Sequence, residues 1–149
     1  MRTYQERAFA AKQIADIRQL QLRKAQAGES AAKRTAERSR GAHEQAVAEA
    51  RQCRDAQVRA LGAQDRVDLA ALQHWMHLAA AAERNVAGAA IADELAQAEL
   101  RQASTGVHAC ERRLEHARDG QRQAARRLQR KLEEQQLQSL ESLFGAHPP

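Results

Sequence analysis

Few residues in this chain are suited to chemistry. His74 and His77 flank the only tryptophan, Trp75, in "ALQHWMHLAA" (71–80). Two histidines three residues apart on a helix can share a metal ion. No cysteine or carboxylate stands at ligand spacing within that segment, so the pair reads as polar neighbours of the indole, and no metal site is expected. Cys53 and Cys110 form neither a CxxC pair nor a disulfide framework, a usage that suits a reducing compartment. The chain holds no G-x-x-x-x-G-K, no G-x-S-x-G and no H-E-x-x-H, and its seven glycines are scattered singly. Those are the patterns that cradle phosphate, raise a nucleophile or seat a catalytic zinc. The sequence thus offers no catalytic residue and no cofactor motif, and the expectation is a protein that is not an enzyme.

Charge is the other chemistry on offer. The net charge is +5, with Lys and Arg totalling 24 against 19 Asp and Glu. It is unevenly spread: residues 1–60 carry thirteen basic against seven acidic side chains, residues 61–100 two against six, and residues 101–149 nine against six. The run "RRLEHARDGQRQAARRLQRK" (112–131) is the densest basic stretch. It suits a phosphate backbone or an acidic protein surface. Glu111, Glu115 and Asp119 interleave with its arginines at helical pair spacing, as on a solvated helix face. Aromatic side chains for stacking bases are missing there, which disfavours nucleic acid.

The element that must position these residues is helix. Alanine fills 34 of 149 positions, aromatics make up 3%, and the two prolines are the last two residues. That composition favours long helices over a thick globular core. From Leu72 onward the apolar positions alternate in steps of three and four: Leu72, Trp75, Ala79, Ala82, Val86, Ala89, then Ala96, Leu100, Ala103, Val107, Cys110, Leu114, Ala117, Ala124 and Leu128. Only Asp93 and Gln121 interrupt them. A phase kept so long is a coiled-coil seam, and a disordered chain would not keep it. The second helix is expected over about 68–143, on the order of 110 Å long.

The first helix, expected over about 3–61, keeps the same spacing less cleanly. Its stripe runs through Tyr4, Ala8, Ala11, Ala15, Leu22, Ala25, Ala32, Ala36, Ala46, Ala50, Cys53 and Ala60, with Arg18, Glu29, Ser39, His43 and Gln57 at intervening sites. Phe9, Ile14, Ile17 and Leu20 fall off the stripe. Either the register shifts near residue 20 or these four form an exposed apolar face.

Between the stripes lies "LGAQDRVDL", giving a turn at about 62–67. There Gly62 is suited to a left-handed C-terminal cap and Asp65 or Asp68 to capping the next helix. The expected fold is all-α: one domain over 1–149, a long antiparallel two-helix coiled-coil hairpin whose second helix outlasts the first, ending in a short flexible C-terminal tail. A turn near residue 65 sets Cys53 opposite His77 and leaves the chain from about residue 127 overhanging Tyr4. A turn at "ERNVAG" (83–88) is the alternative, and it would bring the two cysteines side by side. No stretch approaches the roughly 18 apolar residues a membrane helix needs, so direct membrane insertion is not expected and the chain reads as cytoplasmic.

Leu69, Leu72, Trp75, Met76 and Leu78 form the densest bulky patch in an alanine-dominated chain. A seam lined with alanine has little room for an indole, so Trp75 serves either as a lock of the hairpin or as a surface for a partner. Trp and Met are favoured at such surfaces.

A basic chain of this length, with a first helix, a short turn, a longer second helix, an aromatic soon after the turn ("DLAALQHW") and a Gln/Glu-rich end ("RKLEEQQLQSLESLF"), resembles the stalk proteins of type III secretion, the FliJ/YscO/SctO family. The likeness is architectural and spans essentially the whole chain. It implies a virulence-associated or flagellar export stalk, similar in form to the coiled-coil rotor of rotary ATP synthases. Such a stalk binds a hexameric secretion ATPase, promotes its activity, and contacts the cytoplasmic domain of the export gate. Export chaperones are further partners of the family. Carried onto this sequence, the resemblance implies gate binding by Leu69, Leu72, Trp75 and Met76, and ATPase binding by Arg7, Arg126, Arg127 and Arg130. It also implies a cytoplasmic location at the membrane-associated base of the apparatus. The competing class is a generic coiled-coil scaffold or adaptor, with nucleic acid held along the basic shaft.

Overall fold

The computed structural model describes residues 1–62 and 68–145. They form two helices packed against each other: α1, Arg2–Gly62, of 61 residues, and α2, Leu69–Gly145, of 77 residues. No strand occurs among the described residues. The chain is therefore the all-α helical hairpin expected from its spacing, with the second helix the longer. It divides into two compact units, one of Met1–Ala27 with Thr105–Pro149 and one of Gly28–Ser104.

Each unit is built on the seam read from the sequence. Every stripe position from Leu72 to Leu128, the interrupting Asp93 and Gln121 included, is buried or half-buried. The same holds for α1 from Tyr4 to Ala60, including the polar Arg18, Glu29, Ser39, His43 and Gln57. Long polar side chains at a two-helix seam lay their stems across it and keep their heads in water. Arg18 donates to Gln21 Oε1 at 2.8 Å, and Asp93 accepts from Gln97 Nε2 at 3.4 Å. No side-chain nitrogen or oxygen among the described residues is buried without a partner. The register does not shift near residue 20. Phe9, Ile14, Ile17 and Leu20 are all more than half exposed and form an outward apolar face of α1.

The two units fill their seams differently. In Met1–Ala27 with Thr105–Pro149, the buried side chains are Ala15, Leu22, Val107 and Leu114, and Ala25 and Cys110 pack against the last three. In Gly28–Ser104 the buried side chains among the described residues are Ala36, Ala50, Ala82 and Ala96, with nothing larger.

Asp68 caps α2. Its carboxylate accepts the backbone N–H groups of Ala70 at 2.9 Å and Ala71 at 3.3 Å, and its carbonyl accepts that of Leu72 at 3.0 Å. These satisfy donors that the first turn of a helix otherwise leaves open. The other expected cap, Asp65, and most of the expected turn lie outside the described residues, as does the end of the expected tail.

Four expectations are corrected. Gly62 is the last residue of α1, and no glycine among the described residues has positive φ, so the helix does not end on a left-handed glycine cap there. The alternative turn at 83–88 is excluded, because those residues lie inside α2. Arg54 meets Glu83 at 2.6 Å, whereas a turn centred at residue 65 sets Arg54 opposite Met76. The pairing is thus displaced by about two helical turns, and Cys53 lies near the level of Glu83 rather than opposite His77. The same displacement moves the overhang. Tyr4 and Arg7 still line a groove with Arg130, Lys131 and Glu134, so α2 runs on alone only after Glu134, not from residue 127.

Candidate functional sites on the hairpin surface

The proposed gate-binding residues sit in the first two turns of α2, directly after the Asp68 cap. Leu69 is 71% exposed and Met76 54% exposed, whereas Leu72 and Trp75 are half-buried. The division follows from the seam: Leu72 and Trp75 occupy stripe positions, and Leu69 and Met76 do not. Trp75 is held partly in the seam, with the His74 ring packed edge-on against it at a centroid distance of 6.1 Å and an interplanar angle of 66°. Edge-to-face contact sets a positive ring edge on a negative face. His77 is exposed. Among the described residues no three His, Cys, Asp or Glu side chains gather into a metal-binding group.

This end of the Gly28–Ser104 unit carries apolar residues that sequence reasoning did not single out. Val58 and Leu61, in the last turns of α1, are exposed. Val58 and Leu61 lie three apart and off the α1 stripe, which is the signal by which they were findable.

Of the four arginines assigned to ATPase binding, three come together. Arg7, Arg127 and Arg130 line one surface groove with Tyr4, Lys131 and Glu134, all within the unit of Met1–Ala27 and Thr105–Pro149. Arg126 is exposed but does not line that groove. The antiparallel pairing explains the gathering, because it sets the first turns of α1 beside residues 127–134 of α2. None of the three guanidinium groups has an ion-pair or hydrogen-bond partner within the described residues. The only acid of the groove, Glu134, is engaged by the Lys131 ammonium. That hydrogen bond, with the charge of the carboxylate behind it, raises the Lys131 pKa above its ordinary value. Three guanidinium forks are therefore free for carboxylate or phosphate oxygens, the geometry for which arginine is best adapted.

A third surface lies on the expected overhang, whose apolar side chains the sequence reading did not single out. Past Glu134, α2 continues to Gly145 with every residue exposed, among them Leu137, Leu140, Leu143 and Phe144. Among the described residues no helix is long and apolar enough to cross a membrane. Compared with known protein families, with curated proteins and with solved structures, the chain matches none.

Proposed function

We propose that this chain is a non-enzymatic stalk of a bacterial type III secretion or flagellar export apparatus. It binds the hexameric secretion ATPase, contacts the cytoplasmic domain of the export gate, and promotes ATP hydrolysis and protein export at the membrane-associated base of the machine. The observation that carries the reading is the presence of two unlike surfaces, one in each unit. An apolar, tryptophan-bearing surface opens α2 in one unit, and a groove with three unpaired arginines lies in the other. A lever that joins two machines needs one distinct binding surface for each.

In this reading Arg7, Arg127 and Arg130 engage acidic side chains of the ATPase, with Arg126 beside them. Leu69, Leu72, Trp75 and Met76 engage the gate, with Val58 and Leu61 adding apolar area. The test is direct. The full chain should co-purify with the cognate ATPase and raise its turnover. An Arg7→Ala/Arg127→Ala/Arg130→Ala variant should lose that stimulation while keeping its helical circular-dichroism signal. No co-purification and no stimulation by the unaltered chain would sink the proposal.

A further inference from the structure

One surface takes no part in that function: the outward apolar face of α1 and the groove beside it. Phe9, Ile14, Ile17 and Leu20 span about three turns of helix and an arc of roughly 140° at 100° per residue. They are 63%, 51%, 54% and 63% exposed. An isolated exposed leucine or isoleucine needs no explanation, but four clustered in an alanine-dominated chain mark an interaction surface.

The groove beside this face is lined by basic and apolar side chains and by no acid. Ile14 lines a groove with Arg18, Arg112, Arg113 and His116, all in the unit of Met1–Ala27 and Thr105–Pro149. Arg112 and Arg113 have no hydrogen-bond or ion-pair partner within the described residues. Arg18 donates to the neutral Gln21, and nearby Arg118 donates to the neutral Gln19 at 2.8 Å. Of the neighbouring acids, Glu111 is engaged by His108 at 3.0 Å and Asp119 by Arg122 at 3.2 Å, while Asp16 and Glu115 stand close in sequence but do not line the groove. The whole unit carries fourteen Lys and Arg against eight Asp and Glu, whereas Gly28–Ser104 is close to neutral.

We infer that this face is a docking site for an acidic amphipathic helix of a partner protein. The helix lays apolar residues at i, i+3, i+4 and i+7 along Ile14, Ile17 and their neighbours, and sets Asp or Glu side chains against Arg112 and Arg113. Helix-in-groove recognition works by this division of labour: apolar anchors supply affinity, and flanking charges fix register and partner sign. Nucleic acid has no use for the apolar strip. A second copy of this chain would bring the same positive charge to the same place. Both occupants fit less well than an acidic helix.

The test uses the full chain and a labelled synthetic peptide of roughly four helical turns, with leucines on one face and glutamates flanking them. Two controls are a peptide of the same composition with the leucines scattered and one with glutamates replaced by lysines. Saturable binding of the first peptide alone is expected. Ile17→Ser and Arg112→Gln/Arg113→Gln should each weaken it by at least about tenfold. Ile91→Ser, on an exposed site of the other unit, should leave it unchanged. Because all of these side chains are exposed, thermal melts should show the variants folded. Equal binding of the scattered peptide would overturn the inference, since charge alone would then suffice. So would an absence of binding, or affinity untouched by Ile17→Ser. Self-association abolished by Ile17→Ser would assign the face to a second copy instead. An oligonucleotide that binds the Ile17→Ser variant undiminished and displaces the peptide would assign the groove to nucleic acid.

Discussion

At the scale of single residues, very few side chains hold the helices together. Among the described residues, Leu22, Val107 and Leu114 are the only buried ones larger than alanine. Each removes more apolar area from water than any alanine of the seam does. Leu114→Ala should therefore lower the free energy of unfolding by about 2–3 kcal/mol, read as a shift in urea midpoint. The half-buried His43 is the opposite case, a polar ring where the stripe calls for an apolar knob. His43→Leu should raise stability by about 1 kcal/mol, measured in the same way. Residue identity made these sites legible in the sequence, because an off-type residue in a regular stripe is visible without coordinates. Which of the arginines would gather was less legible. Arg7, Arg127 and Arg130 follow from the family resemblance, and their shared groove depends on a pairing level that the sequence does not encode plainly.

That pairing level belongs to the scale of elements. The stripes of both helices were readable throughout, since steps of three and four persist for many turns and every stripe position is buried or half-buried. The level at which Arg54 meets Glu83 was not readable. A slide of two helical turns is about one heptad, and it sets seam positions opposite seam positions again. With alanine at nearly half of those positions, neighbouring levels offer similar packing, so the apolar pattern hardly distinguishes them. The start of α2 is better determined. Asp68 accepts two backbone N–H groups there, and Asp68→Ala should cost about 1 kcal/mol. Amide exchange at Ala70 and Ala71 should speed up by more than at the middle of the helix. An unchanged rate at those two amides would remove the cap from the account.

At the scale of the whole molecule, charge and packing are shared unequally between the two units. The basic excess lies with Met1–Ala27 and Thr105–Pro149, so partners bound there should be released by salt. Partners bound to the apolar residues that open α2 should not. On the proposed stalk function, raising ionic strength should weaken ATPase association severalfold over a span in which gate association holds nearly constant. Co-sedimentation at stepped salt would measure both. Trp75→Ala should show the reverse pattern, weakening the gate contact and sparing the ATPase. The unequal filling of the seams also sets an order of events. Where the buried side chains are the alanines Ala36, Ala50, Ala82 and Ala96, opening gives up less than where they are Leu22, Val107 and Leu114. Local openings follow such differences. On warming, then, the amides around Ala36–Ala50 and Ala82–Ala96 should exchange with deuterium before those around Leu22 and Val107–Leu114. The hairpin would part first along its alanine-filled stretch and stay closed longest around its leucines.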